Sequence, residues 1–392
     1  IARKYFYMNN VIQLLVSMPV LWVISEWCRS WILTGCPWLN LGYSQVDSPL
    51  AGLAPITGVY GISWIVAISA AALVYIFIAN SKRRLITIVS LVLIWSVPGS
   101  IKSIDWTDPK DREIKVTLVQ GAIPQEEKWR NDKREYTRNL YLSLSRPHWD
   151  NGLIIWPETA IPAFYHQAGF FIEPLITLVQ NYEADLLTGI AIRDKDSDKY
   201  FNSIISIGKH EEVYNKRHLV PFGEYIPLDK WLRPFFSFLQ IPMSDFSAGN
   251  MEKPLLTAAG EQIGVSICYE DTFGEEIIDA LPEAGILVNI SNDAWFGDSI
   301  APHQHLQMAR MRSLETGRYL LRATNTGISA IINEKGEIIS RSPQFVPHVI
   351  SEQVRIFEGA TPYVTFGNIL VLVPAILLLL ITLIISARRK LF

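Results

Sequence analysis

The uneven distribution of charge is the feature that most constrains the fold of this chain. Residues 57–79 and 363–386 contain no Asp, Glu, Lys or Arg. Each run reaches the ~20 apolar residues that a helix needs to cross the hydrocarbon core of a bilayer. Residues 11–27 and 85–101 are shorter apolar segments of the same kind. We therefore predict four membrane spans, with a buried core helix as the alternative for the short segment 85–101.

Basic residues beside these segments predict their orientation, because short cytoplasmic flanks are enriched in Lys and Arg. Clusters occur at residues 3–4, 82–84 and 388–390. With all three clusters in the cytoplasm the spans alternate without conflict. Residues 102–362 then lie outside the cytoplasmic membrane, which in a bacterium is the periplasm. The chain begins at Ile1 rather than Met, so we expect upstream residues and treat four spans as a minimum.

The composition bears on two questions, namely whether the protein binds nucleic acid and whether it forms disulfide bonds. A formal net charge of −3 gives no reason to expect a nucleic-acid partner. Three cysteines are too few for a disulfide framework, and a pairing of Cys28 with Cys36 stays open. Residues 36–56 are rich in aromatic residues, Gly and Pro, which fits either a re-entrant segment or a plain extracytoplasmic loop.

From residue 113 onward, apolar runs of strand length alternate with helix-like stretches. The predicted elements are strands at residues 114–121, 153–156, 185–192, 203–207, 263–268, 285–290 and 327–332, and helices at 132–144 and 304–321. Gly-containing turns at 206–210 and 333–337 predict hairpins. This alternation predicts an α/β domain with a largely covered sheet. The expected organisation is membrane helices at 1–101, a catalytic domain at 102–362 and a last span with a basic tail at 363–392.

Three strand-like runs end near a residue that is able to take part in nucleophilic catalysis, namely Glu158, Lys216 and Cys268. The thiolate is the working nucleophile of a cysteine, so the thiol of Cys268 needs a base, and Glu158 fits that role if it is desolvated. Attack on an ester or amide places negative charge on the carbonyl oxygen, which needs fixed donors. We assign these donors to Lys216 and the backbone N–H of Tyr269. The predicted reaction is acyl transfer through a thioester.

Each of these residues alone also has a structural explanation. Cys268 fits a buried core thiol, Glu158 a surface charge at a strand end, and Lys216 a solvated basic turn. Their occurrence at three matching strand ends favours a shared site. His303 and His305 lie two residues apart, which is not a helical metal-ligand spacing, so we expect neither a metal ion nor another cofactor.

The motifs around these residues are more specific than the residues themselves. They are Trp156-Pro157-Glu158-Thr159, residues 214–224 and Cys268-Tyr269-Glu270, together with residues 41–45, 289–296 and 322–327. In these motifs the chain resembles the apolipoprotein N-acyltransferase family, which is a membrane-bound branch of the nitrilase (carbon–nitrogen hydrolase) superfamily. The resemblance runs from about residue 20 to the last span. The family has more membrane spans than the four predicted here.

This resemblance implies a nitrilase-like αββα sandwich attached to an α-helical transmembrane domain in the bacterial inner membrane. It implies that Cys268 takes the sn-1 acyl chain from a phospholipid, with phosphatidylethanolamine as the expected donor, and releases a lysophospholipid. The thioester then passes the acyl group to the α-amine of the diacylglyceryl-cysteine at the N-terminus of an apolipoprotein. By the same resemblance Glu224, Tyr269 and Glu270 support the site, and Trp129 is an aromatic residue on a mobile arm.

Two other functions remain open from the sequence. A membrane-tethered amidase acting on a small soluble amide would share the same three residues. The other is a non-catalytic membrane receptor or transporter, and the scarcity of charges within the predicted spans disfavours a transporter. The aromatic segment 231–239 is either a lid that dips into lipid or a helix that packs in the core.

Overall fold

The computed structural model describes residues 10–150, 152–194, 197–225, 246–250 and 253–388. The aromatic segment 231–239 lies outside the described residues. The chain divides into two compact units. The membrane-helix unit comprises Ile1–Trp106, Leu314–Thr316 and Ala360–Phe392, and the sheet unit comprises Thr107–Ser313 and Gly317–Gly359.

Among the described residues the three longest helices lie near the two ends of the chain, and the strands alternate with shorter helices between them. The α-helices are α1 (Met18–Arg29), α2 (Ala54–Ile78), α3 (Ser81–Ile101), α4 (Gln125–Lys128), α5 (Arg134–Ser145), α6 (Gly169–Tyr182), α7 (Gly274–Ile278), α8 (Ala301–Thr316), α9 (Pro362–Phe366) and α10 (Ile369–Arg388). The strands are β1 (Asp108–Gln120), β2 (Leu153–Ile155), β3 (Ile161–Phe164), β4 (Asp185–Arg193), β5 (Tyr200–Ile207), β6 (Val213–Asn215), β7 (Leu255–Ala258), β8 (Glu261–Ile267), β9 (Ile286–Ser291), β10 (Leu320–Thr324), β11 (Ala330–Ile332), β12 (Ile338–Arg341) and β13 (His348–Glu358).

Three described helical segments are long and apolar enough to cross a membrane, namely Pro49–Ile78, Ser81–Ile101 and Ile369–Ala387. They match three of the four predicted spans. The fourth, predicted at residues 11–27, is not among them within the described part of the chain. A π-helical turn at Gln13–Ser17 divides that segment into shorter helical pieces.

Helix α3 begins where the sequence supplies a cap. The side chain of Asn80 accepts a hydrogen bond of 3.1 Å from the backbone N–H of Arg83, which satisfies one of the unpaired donors of the first turn. Within the same unit, residues 36–56 form short 3₁₀ turns rather than an extended loop, and Gly42 donates its N–H to Ser63 of α2 at 2.8 Å.

The sheet unit contains two mixed β-sheets. The first has the strand order β13-β1-β2-β4-β5-β6, with β3 beside β4, and the second has the order β12-β11-β10-β9-β8-β7. In each sheet the central strands are parallel and the outer strands are antiparallel. Parallel strands expose their ends at one edge of a sheet, which is where α/β folds place catalytic loops.

The alternation of side chains along the strands separates two cores. Leu153 and Ile155 of β2 belong to a cluster that also contains Ile263 and Val265 of β8, so this core includes apolar side chains of both sheets. Ile154 faces the other way and joins a cluster with apolar side chains of α5 and α6. Successive strand residues point to opposite faces, so one three-residue strand contributes to both layers.

The structure corrects one predicted helix. The sequence predicts a helix over residues 304–321, but α8 ends at Thr316 and β10 begins at Leu320. Gly317 has a φ of 62°, which is the left-handed conformation that commonly terminates a helix. The strand β10 was therefore missed, and the predicted strand at 327–332 begins only at Ala330.

Candidate active site

The structure places Glu158, Lys216 and Cys268 just beyond the ends of β2, β6 and β8. Strands β2 and β6 belong to the first sheet and β8 to the second. Glu158 and Lys216 are buried, with exposed fractions of 7% and 1%, and Cys268 is partly buried. The three strand ends that the sequence indicates therefore carry the three predicted residues.

The charges of Glu158 and Lys216 influence each other and the thiol of Cys268. Burial raises the pKa of the Cys268 thiol, the charge of Glu158 raises it further, and Lys216 opposes both. Burial raises the pKa of Glu158, and the charge of Lys216 lowers it in part. Burial would lower the pKa of Lys216, but nearby anions, with Glu224 and Glu158 foremost, hold it above its ordinary value.

These directions define the resting charges of the site. Lys216 is an ammonium, and Cys268 is a thiol rather than a thiolate. Glu158 has a higher proton affinity than an ordinary carboxylate, so it can accept a proton at a pH nearer neutrality. The site therefore has an acid–base partner for the thiol and a fixed positive charge beside it.

A hydrogen-bonded chain connects Glu158 to Lys216 through Asn202 and Glu224. The amide Nδ2 of Asn202 donates to Glu158 Oε1 at 2.6 Å and to Glu224 Oε1 at 3.0 Å. The other oxygen of Glu224 pairs with Lys216 Nζ at 2.8 Å. Charge-assisted contacts of this length fix side-chain positions. Glu224 was expected to support the site, whereas Asn202 was not identified from the sequence.

Glu270 joins the turn that carries Lys216 to the end of β8. Its Oε1 accepts hydrogen bonds from Tyr214 Oη at 2.8 Å and from the backbone N–H of Arg217 at 2.6 Å and His218 at 3.1 Å. Its Oε2 accepts the backbone N–H of Ile267 at 2.7 Å. Burial raises the pKa of Glu270, although the Lys216 charge and the N–H donors oppose this.

The backbone adopts a left-handed conformation at Cys268 and at Thr159, the residue after Glu158. Cys268 has a φ of 51° and Thr159, which follows Glu158, has a φ of 50°. Non-glycine residues rarely adopt this left-handed region, and such strain concentrates at functional sites. At Cys268 the bend separates β8 from a 3₁₀ turn, Cys268–Thr272, and places the thiol at the end of the strand.

A second cluster of buried charges lies behind the thiol. His305 Nε2 lies 2.8 Å from Asp271 Oδ1, and its Nδ1 lies 3.1 Å from Asp293 Oδ1. Arg322 donates to the other oxygen of each carboxylate, at 3.0 Å in both cases. Burial and Arg322 would lower the pKa of His305, but the two carboxylates raise it to about 9. The backbone oxygen of Cys268 lies 3.3 Å from His305 Nε2, so this cluster supports the backbone of the nucleophile.

Two other predicted residues, Tyr269 and Trp129, contact aromatic side chains, and one neighbour of Glu158 was missed. The Tyr269 ring contacts Phe273 edge-on with a centroid separation of 5.1 Å, and Trp129 lies 6.4 Å from Phe164. Lys128, directly before Trp129, donates from Nζ to the backbone oxygen of Glu158 at 2.9 Å. Among the described residues, no group of three or more His, Cys, Asp or Glu side chains could hold a metal ion.

The two mixed sheets belong to a carbon–nitrogen hydrolase domain. The family model described as carbon–nitrogen hydrolase matches residues 115–356. A second model, the apolipoprotein N-acyltransferase N-terminal domain, matches residues 1–72. Nit3 of Saccharomyces cerevisiae, a member of branch 10 of the nitrilase superfamily, is similar with a TM-score of 0.48 and 17% identity over 62% of this chain and 90% of its own.

Similar proteins from three bacteria extend over nearly the whole chain. A protein of Methylococcus capsulatus is 43% identical over 91% of this chain and 71% of its own length. A protein of Nitrosomonas europaea is 45% identical over 95% and 76%, and one of Pseudomonas aeruginosa is 40% identical over 90% and 70%. All three are named apolipoprotein N-acyltransferase. The chain belongs to the apolipoprotein N-acyltransferase family.

Proposed function

We propose that this enzyme transfers a fatty acyl chain from a phospholipid to the α-amine of the N-terminal diacylglyceryl-cysteine of apolipoproteins. Membership of the family supports the overall reaction. The assignment of residues rests on one observation: Glu158, Lys216 and Cys268 follow three strand ends, are buried or partly buried, and influence one another's pKa. We propose phosphatidylethanolamine as the acyl donor.

In the first half of the reaction Cys268 attacks the sn-1 ester carbonyl of the donor. Glu158 takes the thiol proton while the carbon–sulfur bond forms, and the carbonyl electron pair moves onto oxygen. Lys216 and the backbone N–H of Tyr269 stabilise this oxyanion. When the intermediate collapses, the lysophospholipid alkoxide leaves and takes the proton back from Glu158. The product is an acyl-thioester on Cys268.

In the second half the neutral α-amine of the lipoprotein attacks the thioester carbonyl. Glu158 accepts a proton from the attacking nitrogen, and the oxyanion again lies beside Lys216. The carbon–sulfur bond breaks, and the departing Cys268 sulfur is reprotonated from Glu158. The same three residues therefore serve both steps of a ping-pong reaction.

We further propose that the enzyme is a multi-pass protein of the inner membrane with its catalytic domain on the periplasmic side. Three described helical segments have the length and composition of membrane spans, and the basic flanks at residues 82–84 and 388–390 favour a cytoplasmic location for those ends. Membrane-impermeant labelling of a cysteine introduced at Glu135, which is exposed, tests the orientation. Labelling in intact spheroplasts supports it, and labelling only after lysis contradicts it.

Transfer from an alkyne-tagged phospholipid to a diacylated lipopeptide tests the proposed function directly. We expect transfer by the wild type and by Cys28→Ser, and none by Cys268→Ser. Retention of transfer by Cys268→Ser would contradict the assignment of the nucleophile. Hydrolysis of small amides without transfer of the tag would favour the amidase alternative.

A further inference from the structure

Lys128 is a buried ammonium that the reaction outlined above leaves without a role. It is the last residue of α4, and its exposed fraction is 3%. The other end of this four-residue helix is also held, because Asn292 Nδ2 donates to Gln125 Oε1 at 2.7 Å. Asn292 follows β9 of the second sheet, and Glu158, which accepts the Lys128 hydrogen bond, follows β2 of the first. Both ends of the helix are therefore fixed to loops of the site.

The surroundings of Lys128 differ from those of Lys216. Lys216 is paired with the Glu224 carboxylate at 2.8 Å, so its charge is largely balanced locally. Lys128 donates instead to a neutral peptide oxygen, and no carboxylate among the described residues forms an ion pair with it. A buried charge without a paired counter-ion is costly to maintain. The charge of Lys128 is therefore available to act on other groups nearby.

We propose that Lys128 is a positioning residue of the reaction centre, whose ammonium stabilises the Cys268 thiolate and the ionised Glu158 carboxylate. Its hydrogen bond to the Glu158 carbonyl also fixes the backbone of the base. The inference rests on the proposed function, in which the sulfur is anionic when it attacks the donor and again when it leaves the product. No proton leaves Lys128 in either step.

Electrostatics agree with this geometry. Burial lowers the pKa of Lys128 to about 8, while the charges of Glu158 and Cys268 raise it. The ammonium is therefore mostly retained at neutral pH. The other groups that affect the ionisation of the Cys268 thiol through charge or hydrogen bonding are Glu158, Lys216, Asp293, Ser291 and Arg322.

The test is the rate of Cys268 alkylation by iodoacetamide in the full chain at pH 7, where Lys128 is still charged, followed by peptide mass spectrometry. The uncharged variants are Lys128→Gln, which retains a donor for the Glu158 carbonyl, and Lys128→Met, which suits an apolar interior. We expect both to slow Cys268 alkylation at pH 7 by roughly tenfold. Lys128→Arg keeps the charge and should keep the wild-type rate.

The matched control is Lys133→Gln, which removes the same charge from a partly exposed lysine paired with Glu127 at 3.3 Å. This variant should leave the alkylation rate at pH 7 unchanged. Cys28 and Cys36 report in the same samples whether thiols have become more reactive in general, as in an unfolded variant. A folded Lys128→Gln or Lys128→Met variant with the wild-type rate at pH 7 would overturn the proposal. Alkylation does not require acyl transfer, so this result is separate from a failure of the proposed function.

Discussion

The carboxylate of Glu270 accepts a hydrogen bond of 2.6 Å from the backbone N–H of Arg217, the residue that follows Lys216. Its second oxygen accepts the N–H of Ile267, the residue before Cys268. One buried side chain thus fixes the spacing between the ammonium and the thiol. An acyl-transfer site depends on such fixed spacing, because small displacements of reacting groups reduce rates strongly.

Glu270→Gln should therefore impair acyl transfer more than it impairs folding. An amide cannot accept on its nitrogen, so at least one N–H of the two turns loses its partner at a cost of about 1–3 kcal/mol. We expect transfer to fall by roughly 10- to 100-fold in the alkyne-phospholipid assay. Glu135→Gln, at a carboxylate whose side chain is 78% exposed, is the control and should be neutral. Full activity of Glu270→Gln would show that this connection is dispensable.

Gly189 of β4 lies against the backbone of the Glu158 turn. A β carbon on Gly189 would lie 2.7 Å from Glu158 Cα and from Pro157 O, which is too close for either to remain in place. Gly189→Ala should displace Glu158 and lower acyl transfer by at least tenfold, as expected for a shifted base. At Gly152 a β carbon would meet its nearest atom at 3.7 Å, so Gly152→Ala is the matched control. Equal activity of the two variants would contradict this view of the site.

Glu224→Gln should weaken catalysis through Lys216. The ammonium loses its paired carboxylate at 2.8 Å, so burial then lowers the pKa of Lys216 with less opposition. Removing one partner of a buried ion pair costs about 3–5 kcal/mol, and part of that loss should appear as lower apparent thermal stability in detergent. We expect the alkaline limb of the transfer rate to move to lower pH in the variant. An unchanged pH profile together with full activity would argue against coupling of these two residues.

The buried pair of His305 with Asp271 predicts a pH-dependent stability. The pKa of His305 is raised from 6.5 to about 9 in the folded protein. Its contribution to the free energy of unfolding is therefore complete below the unfolded pKa and is lost as the pH rises through about 9. This shift corresponds to about 3 kcal/mol. His305→Asn should therefore melt well below the wild type at pH 6, with a difference that shrinks by pH 9.5. A difference in apparent melting temperature that is constant with pH would contradict a charged His305.

Much of the site could be predicted from the sequence because its residues follow recognisable strands. Glu158, Lys216 and Cys268 each come shortly after a strand-like run, two of them on the first sheet and Cys268 on the second. Lys128 could not be predicted in this way. It stands in a run of charged residues that reads as a solvated helix, and its burial depends on Glu158, which is 30 positions away. Only tertiary packing reveals such a contact.

The ionic cluster behind the thiol was missed for a related reason. His305 was considered only as a metal ligand, whereas its partners Asp271 and Asp293 come from two other segments of the chain. Their pairing with Arg322 depends on the register of β9 and β10. The sequence did not reveal this register, because the predicted helix at 304–321 extended into the start of β10 and no strand was predicted there. The fold class and the strand ends follow from local patterns, whereas the supporting contacts require the register.

Mass spectrometry of the Cys268 peptide shows whether this cysteine carries the acyl group during transfer. The full chain is incubated with phosphatidylethanolamine of defined acyl composition in the absence of a lipoprotein acceptor, and then digested. We expect one fatty acyl group on Cys268, which disappears when a diacylated lipopeptide is added. Acyl transfer that proceeds with Cys268 unmodified throughout, or with the acyl group on another residue, would contradict this expectation.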